Sequence, residues 1–297
     1  MWHDFLQYIT QGDKALEEYL QLTAGYYCVG QVLQEGMTIA YGPGGNGKST
    51  YYGILLDILG EYATTLRSDI LIQRNNGSEP YGLENIRGRR LVIMGETDEG
   101  ARLSVSIFKR ATSRDMIEVN AKYKQPFTFR PTHKLVLHTN HLPRLGQLDG
   151  GTLRRINVAP FVAPRKTGEA CVLDLGAQIV EKEGGQVLQW MVEGARKFFD
   201  AGCRIEPPPC VVKQTGDYVS GEDWIKTFLD ERCLIGERQT VSGAALYETY
   251  RRWADDNGEY KRRNRDFAKA MEERGFSKTR RKSAVVWLGI GLQDEEI

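Results

Sequence analysis

Apolar positions along the chain fall into two periods. Residues 4–24 (DFLQYITQGDKALEEYLQLTA) put Phe5, Leu6, Ile9, Leu16, Tyr19, Leu20 and Leu22 near helical spacing, with a turn at Gly12-Asp13. That pattern predicts a short helical pair. Apolar runs of strand length follow at 37–41 (MTIAY), 90–94 (RLVIM), 134–139 (KLVLHT) and 156–162 (INVAPFV). Between them, 48–59 (KSTYYGILLDIL) reads as a helix and a second helix starts near Ser104, carrying Ile107 and Phe108. Two β-rich pieces, Met116–Val119 and Phe127–Phe129, suggest a hairpin with Lys122 and Lys124 between them. Strands interleaved with helices define an α/β layer architecture.

The C-terminal part changes character. An amphipathic helix over 186–200 is followed by Glu206-Pro207-Pro208-Pro209, the strongest linker signal in the chain. Beyond it, 222–233, 241–257 and 264–275 read as helices and 284–290 (AVVWLGI) as a strand. Three helices and a terminal strand fit a winged-helix module.

The 297 residues are 41% hydrophobic and 27% charged, which excludes wholesale disorder. No apolar stretch approaches the roughly 18 residues of a membrane span, and the first residues lack the pattern of a signal peptide. Five scattered cysteines without a CxxC pair suit a reducing cytosol rather than a disulfide framework. The net charge of +1 conceals an asymmetry. Residues 261–282 hold ten Lys/Arg against three Asp/Glu, leaving −6 on the remainder. Such a segment is either a polyanion-binding face or a solvated helix.

The chemistry concentrates between the first strand and the first core helix. Gly42-Pro43-Gly44-Gly45-Asn46-Gly47-Lys48-Ser49 satisfies GxxxxGK[ST], and Thr50 follows it. Glycines let backbone N–H groups turn toward phosphate oxygens, and the following helix presents the positive end of its dipole. Lys48 would reach the β- and γ-phosphates of ATP, and the Ser49 hydroxyl would ligate Mg²⁺. The strand RLVIM runs into Glu96, Asp98 and Glu99. Glu96 comes first off the strand and is the expected metal-and-water carboxylate; either Asp98 or Glu99 would assist. Asn140, at the tip of KLVLHT, would orient water or read the γ-phosphate. Arg154-Arg155 precede the last apolar strand, where an arginine serves either a neighbouring subunit's nucleotide or a structural ion pair. His133, His138 and His141 lack the companions of a zinc set and read as packing or polar groups. Tyr51 and Tyr52 read as core packing, with an approach to a nucleotide base as the alternative.

In this order, GPGGNGKST, RRLVIMGETDEG, the Lys109 to Lys124 segment, FRPTHKLVLHTN and GGTLRRINVAPF cover residues 42–161. Together they resemble the superfamily 3 helicases, specifically the phage and plasmid primase–helicase family that also includes the poxvirus-type enzymes. The resemblance implies an AAA+-type P-loop ATPase core in a homo-hexameric ring that translocates on single-stranded DNA during replication of a phage, plasmid or other mobile element. ATP sites would lie between subunits. On this likeness Asn140 is the sensor, Arg155 the finger with Arg154 second, and Lys122 and Lys124 lie on or near the pore hairpin. A primase domain or protein is an implied partner, and the host cytoplasm (bacterial for a phage) the implied location. The expected domains are an N-terminal helical segment (1–32), the ATPase (33–205), a Pro-rich linker (206–218) and a basic winged-helix-like domain (219–297). Two other functions share the phosphate loop: a non-translocating initiator switch, and a small-molecule kinase, which leaves the basic C-terminal segment unexplained.

Overall fold

The computed structural model describes residues 1–73, 82–119, 125–145, 149–165, 172–221, 223–257, 261–281 and 284–293. Lys122 and Lys124 lie outside the described residues. By Cα proximity the chain forms two compact units, Met1–Val219 and Ser220–Ile297.

The first unit opens with α1 (Trp2–Thr10) and α2 (Lys14–Tyr27). The carboxylate of Asp13 caps α2 by accepting from the backbone N–H groups of Ala15 and Leu16. There follow β1 (Met37–Tyr41), α3 (Lys48–Leu59), β2 (Ala63–Leu66), β3 (Leu91–Met94), α4 (Val105–Thr112), β4 (Ile117–Val119) and β5 (Phe127–Phe129). The unit closes with β6 (Lys134–Thr139), α5 (Gly150–Leu153), β7 (Ile156–Pro160), α6 (Leu175–Asp200) and α7 (Pro209–Gly221). Five strands form one parallel sheet in the order β2-β3-β6-β1-β7. β4 and β5 pair antiparallel, with Val119 opposite Phe127, as the hairpin pattern predicts.

The sheet is buried on both faces. Ala40, Ile93, Val136 and Ala159 join one core with residues of α1, α2, α3 and α6. Their neighbours Ile39, Val92, Leu135, Leu137 and Val158 join the other with Phe108 of α4 and Tyr218 of α7. Burial on both sides is why these strands read as continuous apolar runs rather than alternating ones. Tyr51 and Tyr52 are fully buried in the first core.

Three elements differ from the sequence reading. Residues 209–221 form α7, where a linker was expected over 206–218. Pro209 occupies the first helical position, where its missing N–H costs nothing. Thr215 Oγ1 of α7 accepts from the N–H of Val158 at 2.9 Å and so satisfies a donor on edge strand β7. Helix α6 begins at Leu175 rather than near 186, running through Gly184-Gly185. Strand β2 (ATTL) is short and half polar, as an outermost strand can be.

The second unit holds α8 (Trp224–Arg232), β8 (Cys233–Ser242), α9 (Gly243–Asp256), α10 (Asn264–Glu273), β9 (Ser277–Arg281) and β10 (Ala284–Leu292). Its antiparallel sheet runs β8-β10-β9. Phe228, Tyr250, Trp253, Phe267 and Trp287 fill its core. The three helices and last strand match the pattern reading. β8 and β9 do not: only Cys233 of β8 is buried with no apolar alternation, and β9 (SKTRR) has no apolar residue. Much of the basic segment is matched locally: Lys261 pairs with Asp255, Lys269 with Glu273, Arg274 with Asp223 and Lys278 with Glu272.

Helices α2 and α6 cross with backbone against backbone. A Cβ on Gly25 would overlap the peptide between Gly194 and Ala195, and a Cβ on Gly194 would overlap the carbonyl of Gln21. We expect Gly194→Ala to destabilise the first unit by about 2–3 kcal/mol, the upper end for overpacking, because backbone rather than a flexible side chain must yield. Denaturant unfolding checks this, and a midpoint equal to wild type would mean the helices separate at no cost.

Candidate active site

β1 ends at Tyr41, and the chain turns through residues 42–47 into α3. Gly45 and Gly47 have φ of 80° and 89°, a left-handed backbone that favours glycine. Gly47 is also pressed from below, since a Cβ there would lie 2.5 Å from Ile9 Cγ2 and 3.2 Å from Phe5 Cε2 of α1. The Asn46 amide donates to the carbonyl of Phe161, just past β7, and closes the loop against the neighbouring strand.

Lys48 is buried, at 5% exposure. Its ammonium donates to Gly42 O (2.6 Å), Pro43 O (3.0 Å), Asn46 Oδ1 (3.1 Å) and Asn140 Oδ1 (2.9 Å). Burial lowers its pKa below the ordinary lysine value, against the pull of the nearby Glu96 charge. Asn140 Nδ2 in turn donates to Glu96 Oε1 at 2.9 Å. Three residues from separate stretches thus form one hydrogen-bonded chain, Lys48–Asn140–Glu96. The Ser49 hydroxyl is exposed in the first turn of α3. Asp98 and Glu99 are exposed in the turn beyond Glu96, and Asp98 O accepts from Ala101 N.

Two threonines that no motif singles out hold the tips in place. Thr97 Oγ1 and Thr139 Oγ1 each lie 2.8 Å from the carbonyl of His141 and 3.2 Å from each other. They tie the end of β3 to the end of β6. Their only sequence signal is adjacency, since Thr97 follows Glu96 and Thr139 precedes Asn140.

The arginine pair is placed otherwise. Arg155 binds Glu35 of its own chain through Nε (3.2 Å) and an Nη (2.5 Å), with side-chain exposures of 11% and 22%. Burial would raise the Glu35 pKa, but the Arg155 hydrogen bond and the Arg114 N–H outweigh it and hold the carboxyl below its ordinary value. Arg155 stands at the start of β7, away from the end that meets the glycine-rich loop. Arg154 is exposed.

The three histidines have separate settings. His133 is buried and its Nε2 lies 2.9 Å from Ala111 O. His138 is half buried on β6, its pKa lowered by burial and then by the Lys48 charge. His141 is exposed. No helix among the described residues is long and apolar enough to cross a membrane.

Mixed α/β architecture around a parallel sheet is also the fold of the C-terminal region of NrS-1. The apo structure of its residues 305–718 matches 97% of this chain and 75% of that chain, with a TM-score of 0.55 at 13% identity. A second apo form of that region matches with a TM-score of 0.54 at 10% identity. A family described as of unknown function (DUF5906) matches residues 40–155. A helicase-named protein of Acanthamoeba polyphaga mimivirus is 30% identical over 155 residues, which is 52% of this chain and 16% of that protein. A helicase-named protein of Frog virus 3 (isolate Goorha) is 25% identical over 232 residues, 73% of this chain and 24% of that protein. The chain therefore spans a quarter or less of these relatives. These likenesses bear out the resemblance to the superfamily 3 primase–helicase type.

Burial of His133 carries a pH consequence. Desolvation lowers its pKa from 6.5 to about 4, more than the Ala111 bond raises it. The unfolded chain therefore takes up the proton first as pH falls. Stability from the neutral ring is full above pH 6.5 and is lost as pH drops through about 4, by about 3 kcal/mol in total. We expect His133→Gln to flatten that part of the stability–pH curve; an unchanged slope would show that the ring is not the titrating group.

Proposed function

We propose that the chain is the motor part of an ATP-dependent DNA helicase of the superfamily 3 type, acting in replication. The observation that carries this reading is the Lys48–Asn140–Glu96 chain on a glycine-rich loop between a buried strand and a helix. The sheet order β2-β3-β6-β1-β7 supports an AAA+-type core, with β1 feeding the loop and β3 and β6 beside it. In this reading Gly42 to Gly47 and Thr50 cradle the phosphates of ATP. Lys48 exchanges its loop carbonyls for β- and γ-phosphate oxygens. Glu96 takes a proton from the attacking water, and Asn140, already bonded to Glu96, holds that water in line. The hydroxyl of Ser49 and the carboxylate of Glu96 are hard oxygen donors that fit Mg²⁺, which would neutralise phosphate charge there. Asp98 or Glu99 assists.

The arginine assignment shifts toward Arg154. Arg155 is committed to Glu35, and its release would leave a half-buried carboxylate with only the Arg114 N–H. Arg154 is exposed beside it and reaches a neighbouring subunit's ATP in a homo-hexameric ring. Lys122 and Lys124, in the β4–β5 connection, grip single-stranded DNA from the pore. Residues 33–205 form the ATPase, with 1–32 packed on it. The second unit acts as a winged helix, a reading supported by its three helices and β8-β10-β9 sheet, and its exposed Arg263, Arg265 and Arg280 meet DNA phosphates. A primase domain or protein is the partner, and the host cytoplasm the place of action.

The deciding experiment measures ATP hydrolysis with and without single-stranded DNA, alongside strand separation. We expect DNA-stimulated hydrolysis and unwinding. Lys48→Ala removes both, and Glu96→Gln binds ATP but turns over about 10²-fold more slowly. Hydrolysis indifferent to DNA would favour a kinase, and slow hydrolysis without unwinding an initiator switch.

The arginines separate by a second measurement. Arg154→Ala should keep ATP binding and lose about 10³-fold in turnover, and mixing it with Lys48→Ala subunits should restore part of the activity. Arg155→Ala should instead destabilise the first unit by about 1–3 kcal/mol in denaturant unfolding, since Glu35 then keeps only the Arg114 N–H. Full turnover by Arg154→Ala would return the finger role to Arg155 or remove it.

A further inference from the structure

Beyond β7 the chain runs back across the phosphate loop, and nothing in the motifs marks this segment. It is fastened at two points: Phe161 O accepts from the Asn46 amide, and Pro164 O accepts from the Tyr8 hydroxyl of α1. The next residue, Arg165, lies on the loop itself. A Cβ built on Gly45 would sit 2.7 Å from Arg165 Cγ, 3.0 Å from its Cδ and 3.2 Å from its Cβ. The stem of this side chain thus occupies the space that glycine leaves at position 45. Arg165 is exposed. Its guanidinium has no acidic partner among the described residues.

This placement is electrostatically costly for a purely structural arginine. The loop carries the positive end of α3 and the Lys48 ammonium. A further cation against that surface is repelled until an anion arrives. A planar guanidinium with paired donors suits phosphate oxygens in particular.

We propose that Arg165 is a polyphosphate-binding residue of this chain's own nucleotide site, closing over the phosphate loop from the side opposite Glu96. The inference rests on the loop being an ATP site, and it adds an in-chain cation to Lys48. The fastening by Asn46 and Tyr8 means that α1 helps set its position.

The test uses the full chain and two probes, ATP and inorganic tripolyphosphate, the second measured by competition or direct calorimetry. Arg165→Ala should weaken both by the same factor, roughly tenfold to a hundredfold for one charge-assisted contact. Arg165→Lys should recover part of the loss, and the unfolding midpoint should stay at the wild-type value. Equal affinity of Arg165→Ala and wild type for both probes overturns the proposal. Loss for ATP alone also overturns it, since that places Arg165 on the nucleoside. Tripolyphosphate bound through Arg165 without any ATP affinity would keep the anion site and remove the ATPase reading; wild-type protein that binds neither removes both.

Discussion

The hydrogen-bonded chain from Lys48 through Asn140 to Glu96 depends on three parallel strands ending at one level. Tyr41 of β1 pairs with Thr139 of β6, and Met94 of β3 pairs with Leu137, so the residues just beyond each strand emerge side by side. A slip of one residue would turn Asn140 to the opposite face, because side chains alternate along a strand. What prevents the slip is chiefly apolar. It is the pair of cores that claim alternate residues of every central strand, backed by the Thr97 and Thr139 hydroxyls at the tips. The apolar packing thereby sets the geometry of a polar site several residues away.

The glycine-rich loop is likewise held from more than one direction. Phe5 and Ile9 press on it from α1, Asn46 fastens it to the end of β7, and Lys48 draws in two of its carbonyls. A buried ammonium is tolerable only because four oxygens surround it. On the proposed reading, charged phosphate oxygens would displace these partners, so the lysine is held in place until they arrive. Helix α1 therefore helps set the shape of this loop, although its sequence shows only amphipathic spacing.

Legibility followed burial and backbone constraint. The glycine-rich loop announces itself because glycines at positive φ and a lysine at fixed spacing leave few alternatives. The central strands announce themselves because both faces are buried. Glu96 and Asn140 were legible by position, each the first polar group able to act at a strand tip. The exposed β8 left no pattern, and α7 was hidden behind three prolines whose last member starts a helix. Arg155 illustrates another limit. Its partner Glu35 lies far away in sequence, and only the fold brings them together, so adjacency to Arg154 carried no information about which of the two is engaged. Arg165 was hidden for the same reason, its role being defined by the glycine it covers.

The crossing of Gly25 and Gly194 bears on how such a sequence can change over generations. Most core positions drift because a larger residue on one side is matched by a smaller one opposite. Here both sides are already the smallest residue available, and what each would strike is main chain, which no substitution can trim. Neither position has a neutral step open to it, nor a partner whose mutation would open one. The depth of α2 against α6 is accordingly set by main chain, and side-chain exchange cannot adjust it.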